Sequence, residues 1–291
     1  MGAVVTPDQA AAALTPGLEA WERDALPNYI SLGAGVQSTT LALMAARGEL
    51  GPMPAGAIFA DTQWEPAAVY KHLDWLETQL PFPLHRVTAG NLRETIASKR
   101  PVGKFRRVDI PAFVAVDGKV AGLINRSCTR DYKIVPIQRK LKELCGITRK
   151  RAPKAPVVVS WIGISADEQR RRKPSRDAWV ENRWPLLERG ISRAGCLQWL
   201  HANGFPRPPK SSCIGCPFHN TEQWAALTPA EREDANQIDE RLRAHPPGEY
   251  RTKGGLFLHR SGRPLREIDF GDEDEGPDEF VWRECEGQCG V

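Results

Sequence analysis

No apolar run in the 291-residue sequence approaches the roughly 18 residues that a membrane-spanning helix needs, so no helical span and no membrane partner are expected. Residues 1–27 lack a charged start followed by an apolar block, so no secretory signal is expected. Without secretion, the seven cysteines are read as thiols of a reducing, cytoplasmic compartment and not as a disulfide framework. Met1-Gly2-Ala3-Val4-Val5-Thr6 fits the myristoylation pattern, but that pattern is too short and common to carry weight. There is no internal repeat, and the net charge is only +4, which by itself does not mark a nucleic-acid binder. A hydrophobic content of 41% is still enough for a core, and the length suggests one large α/β domain with an appendage.

The chain is organised around residues 29–47. Tyr29 to Leu32 is a short apolar run; Gly33, Ala34 and Gly35 follow, and then Leu41, Met44 and Ala45 recur at helical spacing. Small residues let backbone approach a ligand, and the first N–H groups of a helix lack intrahelical partners, so they can hold an anion. Ser38, Thr39 and Thr40 add hydroxyls at that helix start. No Gly-Lys-Ser/Thr closes the loop and a third glycine is missing, which excludes a Walker loop and a dinucleotide fingerprint. Phosphate binding is expected of Ser31, Gly33, Ala34, Gly35, Gln37 and Ser38. An ordinary glycine-rich turn is the bland alternative.

The rest of the chain alternates strand and helix. The first helix should end at Gly48, a second buried strand runs Gly56–Ala60, a helix spans about Pro66–Leu80, and Leu84–Val87 is a third strand. Val157–Ile164, continuous and β-branched, reads as a central buried strand. Asp-Gly inside Phe113–Val120 signals a hairpin inserted before Cys128. Further helices are expected near Tyr132–Cys145, over 192–203, and from the capping box at Thr228 to about Ala244. This pattern predicts a parallel twisted sheet with flanking helices and a small helical and loop-rich appendage. The divisions fall at 1–27 (lead-in), 28–205 (nucleotide-binding α/β domain) and 206–291 (cysteine-containing region with an acidic tail). Asp61, at the end of the second strand, either touches a nucleotide bound over the loop or caps the following helix.

Cysteine spacing is the second strong signal. Cys213-Ile214-Gly215-Cys216-Pro217 presents two thiolates to one metal or cluster; zinc, an iron–sulfur cluster and a redox pair are all open on spacing alone. Cys145 and Cys196 have apolar neighbours and read as core thiols, leaving Cys128, Cys213, Cys216, Cys285 and Cys289 as functional candidates. Basic residues crowd positions 93–176, including Arg170-Arg171-Arg172-Lys173, and acidic ones crowd Asp272–Glu279. Such runs are usually solvated surface; the alternative is a basic cleft for a nucleotide or RNA.

Five pieces in order resemble the phosphoadenosine phosphosulfate (PAPS) reductase family of the ATP-pyrophosphatase (PP-loop) superfamily, in its phage and bacterial form. They are Gly33-Ala34-Gly35-Val36-Gln37-Ser38, Phe59-Ala60-Asp61-Thr62, Cys128 with Lys133 and Pro136, Trp161-Ile162-Gly163 with Arg170-Arg171, and Cys213-x-x-Cys216-Pro217-Phe218. The resemblance implies an adenine-nucleotide alpha-hydrolase-like fold. It implies that the loop and Asp61 bind ATP or an adenylylsulfate, with magnesium an option. Lys133, Arg170 and Arg171 would hold its other anionic groups. It also implies a four-iron cluster on Cys128, Cys213 and Cys216, and a thiolate of the tail, Cys285 or Cys289, as nucleophile, with a thiol reductant such as thioredoxin.

Three departures stand out. Gln37 replaces the usual loop aspartate, and Thr129 stands where a second tandem cysteine is usual, leaving three matched cluster ligands. The tail has Glu284-Cys285 and Cys289-Gly290 but no intact Glu-Cys-Gly. Three readings follow: a PAPS-reductase-like oxidoreductase of sulfur metabolism, an ATP-dependent thiolase acting on tRNA or a nucleobase, and a non-catalytic zinc or nucleic-acid-binding module.

Overall fold

The computed structural model describes residues 25–97, 110–124, 127–148, 152–244 and 254–271, with the backbone of 101–102 and 105–106. Strand β1 (Asn28–Leu32) is buried throughout and leads into helix α1 (Val36–Ala46). There follow β2 (Gly56–Asp61), α2 (Ala67–Gln79), β3 (Leu84–Thr88) and α3 (Leu92–Ala97). A two-residue ladder, β4 (Pro101–Val102) and β5 (Phe105–Arg106), precedes the hairpin β6 (Phe113–Val116) and β7 (Lys119–Leu123). A π-helical turn (Thr129–Ile134) runs into α4 (Val135–Leu144), then β8 (Val158–Ile162), a 3₁₀ turn (Ala166–Arg171) and β9 (Val180–Arg183). The chain closes with α5 (Pro185–Glu188), α6 (Arg193–Ala202), α7 (Thr221–Ala225), α8 (Pro229–Arg243) and β10 (Gly255–Phe257).

The five strands β3-β2-β1-β8-β9 form one sheet in that order, parallel throughout. This is the expected α/β architecture. Side chains alternate across β1, as the strand period of two requires. Ile30 and Leu32 join α1, α2 and α6 through Leu41, Leu73 and Leu200, whereas Tyr29 faces Ile58, Ile137, Leu141 and Trp179. Both faces are therefore covered, which is why β1 and β8 are buried throughout and largely apolar, with only Asn28, Ser31 and Ser160 polar. The chain leaves β1 in one direction through β2 and β3, then returns on the other side at β8. The order thus reverses between β1 and β8, and in parallel sheets ligands bind outside the carboxyl ends at such a point.

The Asp-Gly hairpin is present: Asp117 and Gly118 both have positive φ, 49° and 75°, as a tight two-residue turn of strands with right-handed twist requires. It pairs with β10 to make a separate antiparallel sheet. A third core joins Trp224, Ile238, Leu242, Leu256 and Phe270 to Trp64, Leu92 and Tyr132, so the region after 205 packs on residues from the α/β half.

Three local differences have physical causes. The helix expected from Tyr132 opens earlier, at Thr129, in the wider π register. Pro136 has no N–H to give to the carbonyl one regular turn back, so a straight α-ladder cannot run through it. Pro66 lies outside its helix as the N-cap, with ψ 149°. Finally β9 and α5 were not expected, because Val-Glu-Asn-Arg is polar and carries no alternation.

Candidate functional site

The reversal point is built around the β1–α1 loop. Residues 31–40 are all buried, and Ala34 is held in the left-handed region at φ 61°, a conformation costly for any residue with a Cβ. Ser38 Oγ accepts the Gly35 N–H at 3.2 Å, and Thr39 Oγ1 lies 2.9 Å from His72 Nε2 on α2. Gly163, directly after β8, comes against the same helix start. A Cβ there would lie 3.0 Å from both the N and the Cα of Ser38, so any larger residue would press the start of α1 back by a few tenths of an ångström. Ser31 Oγ on β1 is buried and makes no hydrogen bond among the described residues.

Gln37, fully buried in the first turn of α1, ties the loop to two distant segments. Its carbonyl oxygen accepts from Arg193 Nη1 at 2.7 Å, and its amide nitrogen lies 3.3 Å from Glu168 Oε2 and 3.5 Å from Ser165 Oγ. Glu168 also pairs with Arg171 at 2.5 Å, and Asp167 accepts the Arg193 backbone N–H at 3.0 Å. Gln37 thus places a neutral amide, clamped by a cation, in the first turn of α1. Arg170, one residue before Arg171, is exposed. Asp61 is engaged locally: its Oδ1 accepts from Gln63 N–H at 2.7 Å and from the Tyr70 hydroxyl at 2.9 Å. Burial first, and Asp61 second, push that hydroxyl above its usual range. These contacts tie Asp61 to the turn after β2 and to Tyr70, while Pro66 is the N-cap of α2, so Asp61 does not cap that helix.

The second half of the site is a pocket lined by Cys128, Lys133, Ser212, Cys213, Gly215 and Cys216 with apolar neighbours such as Leu92 and Phe218. Cys213 and Cys216 are joined by a backbone bond, Cys216 N–H to Cys213 O at 2.9 Å. Gly215 between them is obligatory, because a Cβ would lie 2.2 Å from Trp64 Cη2. The pocket connects to the end of β2 through Thr62, whose Oγ1 is 3.2 Å from Cys213 Sγ and 3.0 Å from Glu65 Oε1. Glu65 lies 3.7 Å from Lys133 Nζ and 3.5 Å from the Cys213 sulfur, and all three side chains are buried. Burial, and then the Glu65 carboxylate, push the Cys213 thiol well up, with Lys133 pulling against them. Ser212 and buried His219 close one wall, 2.7 Å apart, and burial lowers the His219 pKa to about 3.

The structure brings together Cys128, Lys133, Cys213 and Cys216, separated by up to 88 positions in sequence. It gathers Ser31, Gly33, Ala34, Gly35, Gln37 and Ser38 at the end of β1, with Arg171 reaching Gln37 through Glu168. Lys133 and Arg171 are each paired to a carboxylate, Glu65 and Glu168 respectively. Cys285 and Cys289 lie outside the described residues. Cys196 is a core thiol, fully buried, while Cys145 is half-buried against the other face of the sheet. None of the five described cysteines forms a disulfide. Among the described residues no three His, Cys, Asp or Glu side chains converge on a single metal position.

Glu65, Glu168 and Arg193 escaped the sequence reading, and Thr62 and Gly163 entered it only as parts of the family-like pieces, with no role of their own. Glu65 had a signal, being the second carboxylate after Asp61 at one strand end. Arg193 had a weaker one, sitting directly behind the helix-capping Ser192. Compared with models of known protein families and with curated proteins, the chain matches none.

Proposed function

We propose that the chain is a nucleotide-dependent enzyme of sulfur chemistry, similar to the PAPS reductases. The observation that carries this reading is that three cysteines and a lysine share one pocket, which Thr62 joins to the same carboxyl edge of the sheet that bears the anion loop. In this reading the backbone amides after Gly33 and the hydroxyls of Ser31 and Ser38 bind the phosphate or sulfate of an adenine nucleotide. Arg193, Arg171 and Arg170 supply positive charge around it. Cys128, Cys213 and Cys216 fit the donor set of an iron–sulfur cluster with three protein ligands. Such a group, when bound, supplies positive charge and a redox or sulfur-carrying centre beside the nucleotide. Because Cys213 is protonated in the unloaded pocket, loading requires its proton to leave, and Lys133 stabilises the resulting thiolate.

A thiolate of the tail, Cys285 or Cys289, then attacks the sulfur of an adenylylsulfate. The sulfur–oxygen bond to the nucleotide phosphate breaks, the nucleotide leaves with the electron pair, and a cysteine S-sulfonate forms. A thiol reductant such as thioredoxin releases sulfite from it and is oxidised to the disulfide. One observation favours the second reading, an ATP-dependent thiolase: buried Thr129 stands where a fourth cysteine would close the cluster. Anaerobic incubation separates the two. Sulfite released from adenylylsulfate in the presence of thioredoxin supports the reductase, and pyrophosphate released from ATP with tRNA or a nucleobase acceptor supports the thiolase. Neither product under either condition contradicts both.

A further inference from the structure

Helices α7 and α8 meet at a short connection, and beside it the surface folds in to an open recess of about 510 Å³. Ala225, Leu227 and Pro229 give it apolar walls, and Arg232, Glu233 and Asn236 give it polar ones. None of these residues lines the cysteine pocket or belongs to the anion loop. The volume falls within the roughly 300–1,000 Å³ usual for a small-molecule site.

Each polar wall residue has bonding capacity left over. Arg232, half-buried, lays its guanidinium over the Phe270 ring at 5.4 Å and donates through Nη2 to the carbonyls of Trp224 and Ala225, at 3.2 and 3.0 Å. Those acceptors carry no charge, and among the described residues no carboxylate pairs with Arg232. Glu233 is exposed and accepts both terminal nitrogens of Arg266, in the 3₁₀ turn Leu265–Glu267, at 2.9 and 3.0 Å. The same guanidinium donates to Glu240 at 2.9 Å, so two carboxylates share one cation and a negative charge remains. Arg266 first, with Asn236 and Gln237 adding donors, keeps the Glu233 carboxyl below its usual range.

Asn236 is 6% exposed, and its Oδ1 is buried without a hydrogen bond among the described residues. A carboxylate can only accept, so Glu233 draws the Nδ2 side of the amide and leaves Oδ1 as the unmatched acceptor. A buried acceptor without a donor is costly. Asn236 stands one helical turn on from both Arg232 and Glu233, so the three share one face of α8. A ligand of one sign would leave a wall of this recess unanswered. A zwitterion answers all of them. Its carboxylate meets the Arg232 fork, its ammonium donates to Glu233 and to Asn236 Oδ1, and an aliphatic body covers Leu227 and Pro229.

We infer that this recess between α7 and α8 is a binding site for a free α-amino acid with an aliphatic side chain, separate from the loop and from the cysteines.

The test is calorimetric titration of the full chain with L-leucine, L-alanine and two half-ligands. Isoamylamine is leucine without its carboxylate, and isocaproate is leucine without its ammonium. Wild type should bind L-leucine more tightly than L-alanine, and each half-ligand at least roughly tenfold more weakly than L-leucine. Glu233→Gln lies on the surface and leaves Arg266 its second carboxylate, so the fold is kept. That variant should weaken L-leucine roughly tenfold. Asn236→Leu exchanges the buried amide for an apolar group of similar size and should weaken L-leucine roughly ten- to hundredfold. If Asn236→Leu fails to fold in a urea titration, Glu233→Gln still decides. The site is overturned if neither amino acid binds wild type at millimolar concentration, if isoamylamine binds as tightly as L-leucine, or if the folded variants titrate like wild type.

Discussion

His72 offers a sharp test of how the anion loop is braced. It lies on α2, is 7% exposed, and touches Thr39 in the second turn of α1 through a 2.9 Å contact. Burial lowers its pKa from 6.5 to about 4. The folded state therefore resists protonation that the unfolded state accepts. Its contribution to stability is complete above pH 6.5 and is lost as pH falls through the window from 6.5 to 4. Working the two pKa values through linkage, acidification from about pH 7 to about pH 5 costs about 2 kcal/mol from this one residue. The assay is urea unfolding of wild type and His72→Gln at both pH values, since glutamine can still bond Thr39 but does not titrate. Other groups titrate equally in the two proteins and cancel. Wild type should lose about 2 kcal/mol more than the variant over that interval. Equal losses in the two proteins would show that His72 does not carry this penalty.

The other predictions concern the neighbours of the loop and of the cysteine pocket. Gly163→Ala places a methyl 3.0 Å from Ser38 N, so the start of α1 must shift. A stability loss of roughly 1–3 kcal/mol is expected, with a larger proportional loss of adenine-nucleotide affinity in titration. Asp239 is fully buried and accepts the N–H groups of Leu258 and Leu265 at 2.9 and 3.0 Å while pairing with Arg243. Asp239→Ala should therefore cost about 3–5 kcal/mol in chemical denaturation and loosen the segment from β10 onward in hydrogen exchange.

What was legible in the sequence was what short-range patterning encodes. β1 and β8 are largely apolar and buried throughout because both of their faces are covered, and Asp117-Gly118 supplies the two positive φ values that its hairpin needs. Thr228 and Glu231 bond each other reciprocally at the start of α8, as their spacing implied. Gly48, at φ 75°, ends α1 as expected. The polar edge strand β9 had no such pattern. Nor did the contacts that give the site its character: Gln37 meets Arg193 across 156 positions, and Thr62 meets Cys213 across 151. Those pairings depend on how the sheet order reverses, which no local propensity records. The cysteine spacing gave Cys213 and Cys216 directly, but Cys128 joined them only through the family resemblance until the pocket placed all three on one wall-lined space.

The proposed chemistry depends on what Cys128, Cys213 and Cys216 hold. Iron, zinc and acid-labile sulfide should be measured on the full chain purified without oxygen. The account predicts a brown protein with iron and sulfide in equal amounts, about four of each per chain when fully loaded, and with little zinc. Replacing Cys213 by serine should remove most of both. One zinc per chain with no sulfide would contradict it and would return the chain to a zinc-binding module.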